Sequence, residues 1–547
     1  MENRIERLER AITISGLDTK QNKLQASIKS GDIKSQIGLS DKLSILMINE
    51  KGDSSYIGSS SGYSLFSFQG LQWIANKTKW ADLELLLSQM TGHYRADWHH
   101  GNWCSFQGDI WNPAPAGDRE PIPARNFAIK YVNIYFDVFN AVYPLYNRSI
   151  FDEHLHRQYS GNPPESIAWY ASLNVVIAIG ILSERMHCIK PNTVGDTGPS
   201  YELSWKYFRN ATSCFTQLLF TDVSLMAVAA LTGMAVVLQT TSSPHSAYIL
   251  TSTAVRLSHS LGLDQPCDDF RISPAEIEQR LNVFWIVYMM DKGICLRYGR
   301  PSTINDEDIA VDLPRWESDI DRCRSGRGKF YAFPSLTRLA LLESKVHSEL
   351  YSARSRSKSD EEMLICIGTL DAELQDWKAA LPIEVRPDHD IQCHDSSFLS
   401  VILLHFSYYN CLSAIHRVPL HLGLEIMDSN IRNCSLNPRL NYSAVICTHT
   451  ARAVIDMLDF FSHDASPERA NLIWISTHYL FCAFLVLFGN ILEHPGDPDA
   501  FTDLNRLNLV TKLMSPPSAT GHLSGYIRTL KTFEELANIA AAFLTCS

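Results

Sequence analysis

One long predicted helix, at residues 274–298, constrains the fold of this chain more than any other feature. Ser273, Pro274 and Glu276 are typical of a helix start, because they supply a side-chain cap, a proline at the first helical position and a carboxylate three residues after the cap. Residues 281–290 then place apolar side chains around nearly the whole circumference of the helix. Such a helix is expected to be buried on most sides, and therefore to lie in the core of a sizeable domain.

Charged residues interrupt this apolar stretch, and a glycine and a proline end it. Gly299 and Pro301 predict the stop, since neither residue readily continues a helix. Arg280, Asp291 and Arg300 lie in otherwise apolar surroundings, and buried charges need partners. We interpret the three as one ion network that holds neighbouring helices together; three separate surface charges are the alternative.

Length, charge and cysteine usage limit the classes of protein to which the chain can belong. Its 547 residues suffice for a few ordinary domains or for one large helical array. The formal net charge of -11 argues against a large electropositive surface for nucleic acid. The 13 cysteines are scattered without any Cys-x-x-Cys pair, which indicates reduced thiols in the cytosol or nucleus.

The longest apolar runs in the sequence are residues 225–238 and 479–488. Both are shorter than a membrane-spanning helix, so we interpret them as core helices and expect no membrane partner. The first residues are highly charged, unlike a secretory signal peptide.

The pattern from residue 126 onward is helical almost throughout. Residues 244–261 show it well, because Pro244 follows Ser243 at the start, leucines line one face and Gly262 ends the helix. Neither strand-like alternation nor a repeat of fixed period stands out. We therefore predict an all-α fold, a large multi-helix array. The predicted helices cover residues 127–140, 166–187, 201–219, 222–239, 244–261, 274–298, 334–352, 360–380, 396–417, 440–462, 468–490 and 524–545.

The chain divides into four predicted regions. Residues 1–29 form a short coiled-coil-like helix, and residues 30–125 form a linker with Ser/Gly-rich and Pro-rich segments. Residues 126–320 form the core of the helical domain, and residues 321–547 form its C-terminal helical half.

The first region carries a candidate dimerisation seam. Ile5, Leu8 and Ile12 follow heptad spacing, but Ser15 and Gly16 interrupt it. A coiled coil is well indicated only by about three or four unbroken heptads. A short dimerising coiled coil and an isolated amphipathic helix therefore both remain open.

A series of motifs occurs in a fixed order around the long helix: an arginine at its start, Phe-Trp, Tyr-x-x-Asp, Gly-Arg-Pro, an acidic loop and a closing proline. The residues that carry the series are Arg280, Phe284, Trp285, Tyr288, Asp291, Gly299, Arg300, Pro301, Asp306, Glu307, Asp308 and Pro314. The series resembles the regulatory domain of fungal zinc-cluster transcription factors, often called the middle homology region. Residues 56–62 and 143–146 also resemble earlier elements of that family.

This resemblance implies a nuclear transcription regulator with an all-α regulatory domain, and no enzymatic activity. It further implies a homodimer, or a heterodimer with related regulators. A helical body of this size often leaves apolar pockets between its helices. A small-molecule effector or partner protein that binds one conformation better would shift the population and change the output.

Full members of the family begin with a binuclear zinc cluster, in which six cysteine thiolates in a short basic segment hold the zinc. This sequence has no cysteine before Cys104 and no basic cluster nearby. We therefore expect no cofactor in this chain, zinc only in a module that it lacks, and contact with promoter DNA only indirectly or through that module. The alternative is a DNA-binding-deficient interaction protein that modulates full-length relatives by dimerisation.

Two patterns resemble catalytic sites, and each has a simpler explanation. Residues 58–62 match the Gly-x-Ser-x-Gly nucleophile elbow with Ser60 at its centre, but that motif requires a strand that leads into a helix. A Ser/Gly-rich loop satisfies the same letters. The carboxylates from Asp306 to Asp312 could hold magnesium, but they lack the Asp-Asp-x-x-Asp spacing of all-helical synthases. We interpret them as a solvated acidic loop.

Two groups of residues have side chains of the kinds that ligate metals. The first group is interleaved with Tyr94, Trp98 and Trp103, so a partly buried aromatic loop is the preferred interpretation. The sequence therefore predicts no metal site and no catalytic site. The two groups are His93, Asp97, His99, His100 and Cys104, and His389, Cys393 and His394.

Overall fold

The structure is a computed structural model that describes residues 45–48, 54–62, 65, 68–78, 119–187, 201–239, 244–267, 271–314, 330–428, 438–458, 473–514 and 524–546. These residues are helical almost throughout, which confirms the predicted all-α fold. The elements before residue 315 are β1 (Ile45–Ile48), β2 (Ser54–Ile57), α1 (Phe68–Thr78), α2 (Arg125–Val138), α3 (Arg148–Tyr159), α4 (Ile167–His187), α5 (Tyr201–Thr212), α6 (Phe215–Phe220), α7 (Leu225–Gln239), α8 (Pro244–Ser260) and α9 (Pro274–Tyr298). The helices after residue 329 are α10 (Phe333–Val346), α11 (Asp360–Ala379), α12 (Asp395–Asp428), α13 (Pro438–Asp456), α14 (Ile473–Glu493), α15 (Ala500–Met514) and α16 (Ser524–Cys546).

Helix α9 begins and ends where the sequence predicts. The Ser273 side chain accepts a hydrogen bond from the backbone N–H of Glu276. Gly299 ends the helix in the left-handed region with φ 64°, a conformation that costs other residues free energy. Trp285 is only 2% exposed, so the middle of the helix lies in the core.

The first half of the helical body is built around α4, which packs against α2, α5 and α7. Small residues let α7 approach α4 closely: a Cβ added to Gly233 would lie 2.6 Å from the Val175 side chain. Helix α7 packs in turn on α8, and α8 packs on α9. A series of helix contacts therefore connects α4, at the centre of this half, to α9, the motif helix that carries the signature residues.

The second half continues from α9 through α10, which packs on α11 and α12. Helices α12 to α16 then pack on their neighbours in chain order. The ring of Phe533 on α16 stacks on Phe481 at 4.3 Å and meets Phe484 edge-on at 4.7 Å, which attaches the last helix to α14. Contacts between α2 and α12 join the two halves a second time.

Two helices are long and apolar enough to cross a membrane by composition alone, and both are central to the body. Residues Ile167–Glu184 are 83% buried inside the protein, and Ser397–Val418 are 78% buried. Their apolar faces are thus covered by other helices of the same chain, as in the core of a large helical domain. The predicted core runs at 225–238 and 479–488 also lie in buried helices, α7 and α14.

Several elements differ from the predicted ones. Helices α1, α3 and α15 were not predicted, and the helix expected at 201–219 is interrupted between α5 and α6. Helix α3 is mostly polar and buries chiefly Phe151 and Leu155, so its apolar periodicity is weak. Its clearest signal is the cap at Asn147, whose side chain accepts hydrogen bonds from two backbone N–H groups.

A short β-hairpin, which the sequence pattern did not indicate, lies before the helical body. Strands β1 and β2 pair antiparallel, with Ile45 opposite Ile57. Each strand has four residues, too few for an alternation of apolar and polar positions to become visible.

Part of the region predicted as a linker is packed against the body. Residues 58–61 are buried, and Lys77 at the end of α1 pairs with Glu493 of α14 at 3.1 Å. These residues of the predicted linker are therefore in contact with the helical body. The seam residues Ile5, Leu8 and Ile12 lie outside the described residues, and the division into four regions stays a prediction.

Candidate regulatory site

The loop that follows α9 folds back onto the helix, and Asp291 holds it there. This carboxylate is 1% exposed and accepts hydrogen bonds from the Ser302 hydroxyl at 2.5 Å and the Thr303 backbone N–H at 3.2 Å. A buried carboxylate is costly unless donors replace its lost water. Asp291 therefore fixes the start of the loop just after Pro301.

Lys292 holds the same loop from the next position of the helix. Its ammonium donates to the Ile304 carbonyl at 2.7 Å and pairs with Asp306 at 2.8 Å. Only 3% of the Lys292 side chain is exposed, so the pair is screened little on the lysine side. Adjacent opposite charges on α9 thus bind adjacent parts of one loop.

The acidic loop is solvated, as the sequence predicts, since its four carboxylate residues are all exposed, and it is also attached to α9. Asp306 accepts hydrogen bonds from the Tyr288 hydroxyl at 3.0 Å and from the Ser344 hydroxyl at 2.5 Å. The indole N–H of Trp285 donates to the Asp312 carbonyl at 2.9 Å. Signature residues of α9 therefore serve mainly to attach the loop to the helix, while Glu307 remains exposed.

Arg280, Asp291 and Arg300 do not form the predicted single network. Arg280 donates to the Leu261 carbonyl at 2.8 Å, which ties the start of α9 to the end of α8. Arg300 donates to the Tyr56 carbonyl at 3.3 Å. The prediction was wrong because backbone carbonyls and loop hydroxyls, which the sequence pattern does not place, satisfy each charge separately.

Residues 56–62, hereafter the docked segment, lie in a groove of the helical body. The Ser60 hydroxyl donates to the Leu296 carbonyl at 2.7 Å. The Ser60 carbonyl accepts a hydrogen bond from Arg417 of α12, also at 2.7 Å. Ser60 is thus held from both sides, by the first half of the body through α9 and by the second half through α12.

Glycines allow the docked segment to come this close. The Gly58 backbone N–H donates to the Tyr298 carbonyl at 3.0 Å, and its backbone lies directly on that of Gly299. A Cβ on either glycine would collide with the backbone of the other. At the other end, a Cβ on Gly62 would lie 2.5 Å from Cys482 Sγ of α14. Side chains at Gly58 and Gly299 are therefore incompatible with docking, and one at Gly62 would require Cys482 to move.

Ser60 is a structural residue and not a nucleophile. A strand, β2, does precede it, which the sequence did not predict, but that strand belongs to an isolated antiparallel hairpin. The Ser60 side chain is 2% exposed and donates its proton to a backbone carbonyl. A catalytic serine would instead face a general base and an accessible substrate.

Another set of buried polar groups lies between α9, α10 and α14. Arg297 donates to the Gln239 side chain at 3.3 Å and to the Tyr479 hydroxyl at 3.5 Å. Glu343 of α10 faces α9, with a carboxylate oxygen 3.8 Å from the position of a Cβ on Gly293. Burial raises the pKa of Glu343 to about 7, although the nearby charge of Arg297 lowers it. Glu343 therefore exchanges its proton close to neutral pH.

A small cavity lies between α12, α13 and α14, next to the docked segment. Its volume of about 20 Å³ suffices for one or two water molecules. The Thr450 hydroxyl on its wall is buried and has no hydrogen-bond partner among the described residues. Ser413, which accepts from Arg417 at 3.3 Å, and Cys482, which contacts Gly62, also line it. The groove and the cavity thus share walls.

Within the described ranges, no three His, Cys, Asp or Glu side chains are grouped so as to bind a metal ion. In the second predicted group, the Nδ1 atom of His389 lies 3.3 Å from the Pro387 carbonyl, a local contact within its own turn. The first predicted group, at residues 93–104, lies outside the described residues.

Sequence reasoning missed Lys292, Glu343 and Cys482. Lys292 had a signal, because it follows Asp291 in a strongly apolar run and a second buried charge there needs a partner. Glu343 and Cys482 belong to helices far along the chain from α9. Nothing local in the sequence indicates that they meet the motif helix or the docked segment.

Comparison with known proteins identifies the class. Residues 132–379 match the fungal specific transcription factor domain. This part of the chain is therefore a fungal specific transcription factor domain, as the signature around α9 predicted.

Particular relatives resemble most of the chain. It is 37% identical over 520 residues to the ABC-transporter-regulating transcription factor of Aspergillus oryzae, an alignment that covers 92% of this chain and 56% of the relative. The protein of the same name in Aspergillus fumigatus is 36% identical over 519 residues, with the same coverage. The Fusaridione A cluster transcription factor of Fusarium heterosporum is 27% identical over 401 residues, which are 70% of this chain and 71% of the relative. The chain thus spans little more than half the length of the two Aspergillus relatives.

Proposed function

We propose that this protein acts in the nucleus as a transcription regulator whose targets include genes for ABC transporters. The observation that carries the proposal is the identity of 36–37% across 92% of the chain to two proteins named for that regulation. The likeness extends over both halves of the helical body and not only over the signature of α9. We propose no catalytic role, since the buried polar groups of the site are engaged in holding loops and helices together.

We propose that the helical body changes between two conformations that give different transcriptional output. The cavity beside the docked segment admits one or two water molecules, so a metabolite-sized effector requires the surrounding helices or the docked segment to move. An effector or partner protein that binds the moved state better would populate it. Regulation by an effector at this cavity therefore depends on a rearrangement of its walls.

Dimerisation and DNA binding belong to the same proposal. Residues 1–29 would provide a seam for a homodimer or for a heterodimer with related regulators. The net charge of -11 disfavours direct binding of this chain to DNA phosphates, so promoter contact would be indirect or would use a zinc-bearing module. A chain that only modulates full-length relatives by dimerisation is the alternative, favoured by the same charge.

Transcript profiling tests the proposal. The gene would be deleted in its native fungus and restored either as the wild type or with Asp291→Ala, which removes the loop attachment. Glu307→Ala, an exposed position in the same loop, is the matched control. We expect ABC-transporter transcripts to change on deletion and to return with the wild type and the control but not with Asp291→Ala. Changed transcripts without any transporter gene would refute the targets, and an unchanged transcriptome would refute the regulatory function.

A DNA-binding measurement distinguishes a chain that binds DNA itself from one that only modulates full-length relatives. The full chain would be titrated with promoter fragments at several salt concentrations. Direct binding would appear as a steep fall of affinity with salt, because released counterions accompany phosphate contacts. We expect little binding by the chain alone and recruitment to DNA when a full-length relative is added; tight salt-dependent binding by the chain itself would exclude the modulator role.

A further inference from the structure

The docked segment is bound in a way that differs from the rest of the core. Its residues 58–62 are glycines and serines, so little apolar surface is buried when they dock. The contacts that hold them are instead hydrogen bonds and close backbone packing. The helices beneath it are joined by large side chains, such as buried Phe406 and half-buried Tyr479, whose rings stack at 5.4 Å. Docking therefore contributes much less to stability than the helix packing on which it rests.

The chain on either side of the segment fastens it only partly. The hairpin that precedes it has two short strands, and an isolated two-stranded hairpin is marginally stable in water. Helix α1, which follows it, is attached to α14 through contacts that include the pair of Lys77 and Glu493. Release of residues 56–62 therefore leaves α1 in place as a tether.

The segment nevertheless connects elements that are far apart in the sequence. Through Leu296, Tyr298 and Arg300 it contacts the end of α9 and the start of the folded-back loop. Through Arg417 and Cys482 it contacts α12 and α14 in the second half. Its removal takes one hydrogen-bond partner from buried Arg417 and opens the wall that groove and cavity share.

We propose that residues 56–62 form a releasable clasp between the two halves of the body, and that its release is the conformational step by which the domain changes transcriptional output. This inference rests on the proposed function and names its regulation. The closed state is the one described above. In the open state Cys482 Sγ loses the cover of Gly62 and becomes accessible to solvent.

Cysteine labelling of the full chain measures this opening directly. Gly58→Ala blocks docking, because the new Cβ collides with the Gly299 backbone, while nothing inside the helical body is altered. Gly368→Ala is the matched control, because a Cβ there meets no atom within 4 Å. A maleimide reagent and peptide mass spectrometry give the labelling rate of each thiol. Cys214, a buried thiol between α5 and α6, reports global unfolding, and exposed Cys546 reports reagent activity.

We expect Gly58→Ala to raise the labelling rate of Cys482 at least tenfold, because it blocks docking and shifts the opening equilibrium by about 1.4 kcal/mol or more, with Cys214 unchanged. We also expect its transcriptional output to differ from that of Gly368→Ala, in either direction. The output is read from whichever transcripts respond to deletion of the gene. Failure of the ABC-transporter assignment therefore leaves this test intact.

Each other outcome overturns the clasp. Unchanged labelling of Cys482 shows that the segment does not cover it, and faster labelling with unchanged output shows that release carries no signal. If Gly58→Ala unfolds the whole body, Ser60→Ala decides, since it removes only the hydrogen bond to Leu296. Selective labelling of Cys482 in that variant together with altered output supports the clasp. Labelling of Cys482 and Cys214 together, or unchanged labelling, identifies the segment as a permanent part of the core.

Discussion

Asp291 and Lys292, two adjacent buried charges on α9, are satisfied by neighbouring parts of one loop. Because hydroxyls and backbone groups of that loop surround both side chains, each charge is solvated by the protein in place of water. The two residues therefore form the strongest attachment of the signature loop. A variant that lacks either Asp291 or Lys292 therefore keeps buried polar groups without a partner.

The stability of Asp291→Ala tests that attachment. We expect the free energy of unfolding to fall by about 3 kcal/mol, since the Ser302 hydroxyl and Thr303 N–H lose their acceptor within a buried charged cluster. Urea denaturation followed by tryptophan fluorescence gives the change. Glu307→Ala, on the exposed side of the same loop, should stay within about 0.5 kcal/mol of the wild type. Equal effects of the two substitutions would show that the loop is not held through Asp291.

The raised pKa of Glu343 predicts that the free energy of unfolding depends on pH. Its pKa is raised by burial from an ordinary 4.5 to about 7, so the folded state binds more protons than the unfolded state between these values. Stability due to this group is therefore complete below about pH 4.5 and is lost as pH rises through 7. Glu343→Gln, which mimics the protonated acid, should match the wild type near pH 5. At pH 8 it should be the more stable by up to about 3 kcal/mol.

The comparison of the two proteins isolates Glu343 from other titrations. Burial lowers the pKa of His347 to about 4, which makes stability rise with pH over a similar range, but this group is present in both. Denaturation midpoints of wild type and Glu343→Gln would be measured from pH 5 to pH 8. A difference that stays constant over this range would mean that Glu343 is ionised throughout.

At the scale of elements, helices with strong caps and apolar periodicity were predicted well, and polar helices were not. Helix α9 matches its predicted bounds, and α8 and α11 differ from theirs by a residue at their ends. Helices α3 and α15 were missed because they bury few side chains. The hairpin was missed because its strands are short. The local signal is therefore strongest where an element is buried on most sides.

Helix α11 carries a cap whose contribution is measurable. The Ser359 side chain accepts from the Glu362 backbone N–H, and the Glu362 carboxylate accepts from the Ser359 backbone N–H at 2.7 Å. Ser359→Ala should lower the free energy of unfolding by about 1 kcal/mol, because an N–H at the start of the helix loses its acceptor. Ser357→Ala, the same change outside the capping box, should have a smaller effect. If both cost the same in urea denaturation, the capping box is not a stabilising feature of α11.

At the scale of the whole molecule, charges between helices hold the C-terminal part of the body. Asp503 of α15 is fully buried and accepts hydrogen bonds from Arg452 of α13 at 2.8 Å and from Arg506 at 3.0 Å. Arg452 also pairs with Asp499 at 3.0 Å, but that carboxylate is 57% exposed. One arginine therefore has a buried and an exposed partner of the same chemistry.

The two partners give a matched pair of substitutions. Asp503→Ala should destabilise the protein by about 3 kcal/mol or more, since it leaves Arg452 and Arg506 partly buried without their shared acceptor. Asp499→Ala should cost only about 0.5 kcal/mol, because water screens an exposed ion pair. Thermal and urea denaturation of both variants would measure these two changes in the free energy of unfolding. A small effect of Asp503→Ala would show that α13 and α15 are joined by apolar packing alone.

The sequence by itself determined that this chain is helical, that α9 lies in its core between a serine cap and a left-handed glycine, and that it carries the signature of the fungal regulatory domain. These properties depend on residues within a few helical turns of each other, which a pattern records directly. Tertiary structure alone decided which groups satisfy Arg280, Asp291 and Arg300, and that residues 58–61 are buried against the body. Ser60 and Arg417 are separated by 357 positions, and nothing local in either segment encodes their hydrogen bond. Partners of buried charges and of small docked residues are fixed by packing geometry, which only the complete fold supplies.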